Sequence, residues 1–292
     1  MAAKKRQKAL SHGRPPISKP KERMSSQQSR TIIRTHHRLQ KEQAAAVKKG
    51  DTKLTETIAR AIEKNGGLEL YQAASKQGQS KDRGGDSSKV LVEWLRQANV
   101  IRLRGKESEG EICPKPPLRC LEVGALSIKN EISKYPDQIE MTRIDLNSQG
   151  AGIEKQDLME RPLPSSLSEH FDIISLSLVL NYVPDPALRG EMLKRTTRFL
   201  RRADTHGNTT GTVLPALFFV LPLPCVENSR YLDERLLLRI LANLGFKLTS
   251  NKKTPKLCYY LLNWTGIPKA SKTEKRKVRD GPAMNNFCIT VD

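Results

Sequence analysis

Gly124 and Asp145 stand 21 residues apart, each closing a short run that reads as a strand, RCLEVG and MTRIDL. A glycine at the end of a strand lets a ligand approach the backbone where a Cβ would intrude. An acid about 20 residues further on, at the end of the next strand, can accept hydrogen bonds from both hydroxyls of a ribose. The chemistry this pair points to is capture of a nucleotide-like ligand. A third strand-end acid follows at Asp157, and then a strongly apolar strand within FDIISLSLVLNYV, placed at residues 171–178. Four strand ends then face one crevice. Taken singly, Gly124 or Asp145 is equally an ordinary polar exit from a strand, and GALSIKN is not the GxGxxG of dinucleotide folds. The series carries the reading.

Positioning those ends requires alternating strands and helices, which predicts an α/β fold with a mostly parallel sheet. Strand one starts near residue 118, after the Pro114–Pro117 punctuation. Beyond the fourth strand, residues 185–202 read as a helix, LFFVLPL as a fifth strand, and 233–244 as a helix stopped by Gly245. Residues 246–250, 257–264 and 286–291 read as a β-rich end, with a basic loop at 269–279 and the closing pair undecided. Ahead of the sheet, residues 31–49, 52–65 and KVLVEWLRQANVI show helical spacing, with Gly66-Gly67 as a stop. The expected organisation is a disordered basic tail at 1–30, a helical extension at 31–112 and a ligand-binding domain at 113–292.

The 292 residues carry a formal net charge of +20. Fourteen Lys or Arg against Glu22 and Glu42 fall in residues 1–50, a local net of +12. A polyanion is the natural partner of such a segment, because each neutralised phosphate releases counterions. Too few apolar residues lie in 1–30 to order them by burial, hence the expectation of disorder. Five cysteines, with no CxxC pair, suggest neither a disulfide framework nor zinc, and point to a reducing compartment. MAAKKRQKAL lacks the apolar core of a secretory signal, and VLPALFFVLPLPCV is too short and proline-rich to span a bilayer, so a soluble intracellular chain with no membrane or metal partner is expected. His12, His36, His37, His170 and His206 are scattered, mostly in segments read as tail or loop, and form no ligand-spaced set.

With LEVG, IDL and FDIISLSLVLNYVPDP in this order, the chain resembles the class I S-adenosylmethionine-dependent methyltransferases. The strings SLVLNYVPDPALRGEMLKR, LPLPCVENSRYL, LCYYLLNW and DGPAMNNFCITV narrow the likeness. Over residues 30–292 the chain is similar to the fungal large-subunit (25S) rRNA adenine-N(1) methyltransferases. The resemblance implies a seven-stranded Rossmann-like sheet and S-adenosyl-L-methionine as cofactor. It further implies large-subunit rRNA or pre-ribosomal particles as partner, a nucleolar setting and a monomer. By position, it puts the cofactor glycine on Gly124, the ribose acid on Asp145 and the adenine-side acid on Asp157. An S-adenosylmethionine-binding sensor, or an assembly factor without methyl transfer, is the alternative.

One departure from the wider superfamily is informative: the fourth strand lacks the Asn-Pro-Pro-Tyr signature of exocyclic amine methylation. The ring N1 lone pair lies in the base plane and needs no catalytic base, so positioning should suffice. Asn181 is the expected acceptor for the N6 amine and Tyr182 a stacking surface, with Tyr231 a second one and Arg230 a phosphate contact. The plainer roles are Asn181 as a helix cap, Tyr182 as core, Asp185 as a helix-start acid and the loop at 228–231 as a turn.

Overall fold

The computed structural model describes residues 24–78, 85–102, 116–148, 150–202, 213–269 and 271–292. Residues 1–23 of the expected tail and the 112/113 boundary lie outside them. Helix α1 (Ser26–Lys48) opens on a capping box in which Ser25 Oγ accepts from the Gln28 N–H and Gln28 Oε1 accepts from the Ser25 N–H. Two of the donors that every helix start leaves unpaired are thereby satisfied. This corrects the expected tail: residues 26–30 are helical, because the cap offsets their lack of apolar anchors.

Helix α2 (Thr52–Lys64), capped by Asp51, buries Ile58 against Leu39 and Ala46 of α1. Gly66, at φ +87°, ends the stretch as expected, but Gly67 opens a further helix, α3 (Gly67–Gly78), that the glycine pair concealed. Helix α4 (Ser88–Gln97) turns Leu91, Val92, Trp94 and Leu95 inward.

Seven strands follow: β1 (Leu118–Val123), β2 (Ile139–Asp145), β3 (Glu154–Lys155), β4 (Ile173–Ser177), β5 (Ala216–Pro222), β6 (Phe246–Lys253) and β7 (Leu257–Trp264). They form one sheet in the order β3-β2-β1-β4-β5-β7-β6, parallel except for β7, which runs antiparallel to both neighbours. This is the class I methyltransferase sheet the resemblance implied. In the register, Val123 sits beside Ile144 on one side and Leu176 on the other. The residues that follow these three strands therefore emerge at one edge.

Alternate strand residues feed two cores, as period-2 geometry requires. Leu217, Phe219 and Leu221 pack with Leu193 of α5 (Pro186–Phe199), while the short α6 (Pro224–Glu227) leads to α7 (Glu234–Asn243), which adds Ile240. Phe218 and Val220 face the other way, towards α4, with the Phe218 and Trp94 rings 6.1 Å apart.

The closing hairpin is β6–β7, and the strand expected at 286–291 is absent as a strand. That stretch lies instead along α5 with Phe287, Cys288, Ile289 and Val291 buried. Gly190 makes the approach possible, since a Cβ there would fall 1.9 Å from the Thr290 carbonyl oxygen. The Arg189 guanidinium, itself buried, donates to the carbonyls of Val183, Pro184 and Cys288 and lies 4.4 Å from the Phe287 ring centroid. One side chain thus ties the end of the chain to the loop after β4.

Candidate active site

The structure brings Gly124, Asp145, Asn181 and Tyr182 to the carboxyl edge of the sheet, at the ends of β1, β2 and β4. Gly124 adopts φ +74°, and a Cβ on it would stand 2.6 Å from Val179 Cγ2. Its N–H and that of Ala125 both donate to the Ile144 carbonyl (2.8 and 3.1 Å), locking the turn onto β2. The glycine is therefore required twice, by backbone angle and by space.

Asp145 Oδ1 accepts from the Asn147 N–H (2.8 Å) and from the Gln72 amide (3.2 Å). Gln72 also donates to the Asn147 carbonyl (2.8 Å) and accepts from the Asn147 side chain (3.1 Å), so α3 is stitched to the end of β2. Burial raises the Asp145 carboxyl above its ordinary range, and the Asn147 N–H partly offsets this. Asp157 follows β3 at the same edge, where its Oδ1 accepts from the Met159 N–H (2.8 Å) and its carbonyl from Glu160 and Arg161.

Beyond β4 the backbone turns sharply. Leu178 takes φ +58°, rare for a residue with a Cβ and a sign of a turn imposed by its surroundings. The Tyr182 N–H closes the turn on the Val179 carbonyl (2.9 Å). Asn181 is not the helix cap: Asp185 caps α5, accepting from Ala187 (2.7 Å) and Leu188 (3.3 Å). Asn181 Oδ1 is buried with no hydrogen-bond donor among the described residues. Such an acceptor costs about 1–3 kcal/mol unless something supplies a donor.

Tyr182 is not core. Its ring stacks on His37 of α1 (4.4 Å between centroids, 19° between planes) and meets Tyr71 of α3 edge-on at 5.5 Å; Tyr71 in turn stacks on His36 (4.5 Å). His36 and His37 lie in the helix expected at 31–49, and both are in aromatic contact. Burial, with the cations Lys41 and His36 nearby, pushes the His37 imidazole down to about 3.

Arg230 and Tyr231 emerge after β5 but turn away to the C-terminal segment. The Arg230 guanidinium donates to the carbonyls of Met284 and Gly281 and to Asn286 Oδ1, and pairs with Asp280 at 3.7 Å. This corrects the phosphate contact expected of it, because its donors are already engaged. Tyr231 carries Lys275 Nζ 4.4 Å from its ring centroid.

Sequence reading missed Gln72, His37, Tyr71 and Val179, whose roles come from tertiary placement and leave no local pattern. It also missed Glu122, for which there was a signal: an acid inside an apolar strand. Glu122 accepts from the Asn130 amide (2.8 and 2.9 Å) and is ion-paired with Arg143 at 3.4 Å, and burial raises its carboxyl. Among the described residues no cluster of His, Cys, Asp and Glu could hold a metal ion, and no helix is long and apolar enough to cross a membrane.

Residues 56–289 match the family described as 25S rRNA (adenine(2142)-N(1))-methyltransferase, Bmt2. The chain belongs to this family. A Saccharomyces cerevisiae protein named 25S rRNA (adenine(2142)-N(1))-methyltransferase is 40% identical over 236 residues, covering 80% of this chain and 63% of that one. The chain thus spans a little under two thirds of that relative's length. A Schizosaccharomyces pombe protein named 25S rRNA adenine-N(1) methyltransferase is 35% identical over 260 residues, covering 88% and 89%. Among solved structures, an O-methyltransferase family protein from Burkholderia thailandensis overlays with a TM-score of 0.41 at 10% identity, covering 82% of this chain and 72% of that one, a likeness too slight to bear on the chemistry. The family match begins inside α2, so α1 and its His37 precede it, whereas Tyr71 and Gln72 lie within it.

Proposed function

We propose that this chain transfers a methyl group from S-adenosylmethionine to N1 of an adenine in large-subunit rRNA, acting on pre-ribosomal particles in the nucleolus. The observation that carries the reading is the buried, donorless Asn181 Oδ1 beside the Tyr182 ring, at the exit of the strand next to the Gly124 turn. An adenine amino group supplies the missing donor, and a ring face supplies the stacking partner. The cofactor fits what is present: Gly124 holds the left-handed turn after β1 that only a residue without a Cβ adopts beside Val179, and Asp145 offers carboxylate oxygens for ribose hydroxyls. Asp157, just beyond the next strand end, would be the residue that meets the cofactor base.

When bound, S-adenosylmethionine supplies a methyl on a sulfonium; the N1 lone pair forms the new N–C bond as the C–S electron pair returns to sulfur, leaving a thioether and a cationic base. No proton has to leave N1 for this. The protein's part is to hold the base in line and exclude water, which is worth several kcal/mol. Asn181 fixes the Watson–Crick edge through the amine, and Tyr182 fixes the plane. In the structure His37 covers the Tyr182 ring and Gln72 occupies Asp145 Oδ1, so α1 and α3 shift or share these groups as ligands enter.

The test is tritium transfer from labelled S-adenosylmethionine into unmodified large-subunit rRNA, followed by nucleoside chromatography. Label in N1-methyladenosine is expected. Asn181→Ala should reduce turnover at least tenfold while cofactor affinity stays within about threefold, roughly 0.6 kcal/mol. A wild-type protein that binds the cofactor yet never labels adenosine refutes the enzyme reading and leaves a sensor.

A further inference from the structure

The segment after β7 carries a cationic strap that packs against the loop after β5. From Lys269 to Arg279 six residues are basic, against the single acid Glu274. Its described residues, all but 270, form neither helix nor strand beyond one bridge at Thr273, yet they are held at several points. The Lys269 N–H donates to the Asn243 carbonyl (2.7 Å) at the end of α7. Thr273 exchanges two backbone hydrogen bonds with Val291, and the Val278 N–H donates to the Arg230 carbonyl (2.8 Å). Arg279 is an anchor, donating to the carbonyls of Val226, Glu227 and Leu232. Arg230, whose guanidinium holds the returning chain at 280–286, completes the mount.

The remaining cations point outward. Lys272, Arg276 and Lys277 have side chains 63%, 82% and 53% exposed, with partners confined to Glu274, Asp280 and Asp292. Ion pairs so exposed are worth about 0–1 kcal/mol and exchange readily for a better anion. Lys275 lies over Tyr231, placing a cation and a ring together where β5, the neighbour of β4, delivers its loop. Arg189 links this same C-terminal segment to the Asn181–Pro184 loop through Cys288 and Val183.

We propose that this strap is a preorganised rail for the phosphates of a single RNA strand, with Lys272, Lys275, Arg276 and Lys277 as its contacts and Tyr231 as a stacking stop. A mounted rail loses less conformational freedom on binding than a free basic tail of the same charge. Cations next to an aromatic face are the combination that grips single strands without reading their sequence. A protein partner with an acidic peptide is the less favoured occupant, because carboxylates have no use for the Tyr231 ring face that Lys275 adjoins, whereas a base can stack there. The proposal rests on the RNA substrate argued above.

The test replaces Lys272, Lys275, Arg276 and Lys277 together with alanine in the full chain. Affinity for a single-stranded rRNA fragment should fall at least tenfold at low salt. The slope of log affinity against log salt should flatten by about 2–3, at ~0.7 per lost phosphate contact. Affinity for S-adenosylmethionine should not change. An unchanged slope overturns the rail. If that variant does not fold, lysine acetylation of the wild-type protein decides: RNA should protect Lys272, Lys275 and Lys277 but not Lys53 and Lys64 on α2, and equal labelling of both sets overturns it. Equal protection by polyglutamate assigns the strap to a protein partner and also overturns it. The readout is RNA binding, so a rail that binds RNA without adenosine labelling counts against the enzyme reading alone.

Discussion

The sheet body and the helical layer of α1–α3 are held together in opposite ways. The sheet buries side chains on both faces, with Leu217, Phe218, Phe219 and Val220 all inaccessible. The layer has a core of Leu39, Ala46 and Ile58, with Ala61 and Ile62 at the margin, and among the described residues it adds Ala74 as a further buried apolar side chain. It also leaves His36 Nε2 and Ser75 Oγ buried without partners among the described residues. Burial of an apolar side chain contributes about 1.5–3 kcal/mol, and an unpaired buried polar atom removes a similar amount. The layer is therefore the weaker body. Its contacts with the sheet include Gln72 on Asp145 and His37 on Tyr182, the same groups a cofactor and a base would use. Rigidity sits under the site, and adaptability sits over it.

The largest effect should come from breaking the rigid body. Gly190→Ala drives a Cβ into the Thr290 carbonyl and must expel the segment that buries Phe287, Ile289 and Val291. Urea denaturation should show a loss of about 3–4 kcal/mol, in the range of severe core changes. A loss under about 1 kcal/mol would mean the segment is not held there. At the junction of the two bodies, Asp145→Ala should weaken S-adenosylmethionine binding by about 1–3 kcal/mol. Calorimetry checks it, and wild-type affinity removes Asp145 from the site. Within the layer, Ile58→Ala deletes the centre of a small core, at about 2 kcal/mol. Amide exchange should quicken in α1–α3 and stay unchanged in β4 and β5; uniform quickening would show that the two bodies unfold as one.

The same contrast explains what was legible in the sequence. Strand ends announce themselves: an apolar run that stops at Gly124 or Asp145 encodes its position through period and punctuation alone, so the sheet and the residues at its strand ends were readable. Asn181 and Tyr182 were readable as placement but not as state. That Asp185 takes the cap and leaves Asn181 Oδ1 without a donor among the described residues follows from the turn at Leu178, whose positive φ no local pattern signals. The layer was the least legible. Gln72 sits 73 residues from Asp145 and is an unremarkable polar residue in a helix that two glycines hid. Arg230 shows the converse error. An arginine beside a crevice suggests a phosphate contact, but the carbonyls that occupy it arrive from more than 50 residues downstream.

The smallest expected effect is the most specific to the layer. Stacked on Tyr182, His37 is held neutral, its pKa lowered to about 3 by burial and by the charges of Lys41 and His36. Released from the sheet it should return to the ordinary value near 6.5. A group whose pKa is lower when docked binds more protons when undocked. Docking is therefore strongest above about pH 6.5 and weakens as pH falls from there towards 3, by at most about 1.4 kcal/mol per pH unit for one proton. His36, also lowered by burial, acts in the same direction, whereas Asp145, raised by burial, opposes it once the pH reaches the carboxylate range. Between pH 6.5 and 5.5, amide protection in α1 should fall by up to about 1 kcal/mol while that of β4 holds. His37→Gln, which keeps a polar planar side chain but cannot titrate in this range, should leave only the shallower dependence due to His36. If the variant and the wild type lose α1 protection in parallel, His37 does not couple the layer to Tyr182.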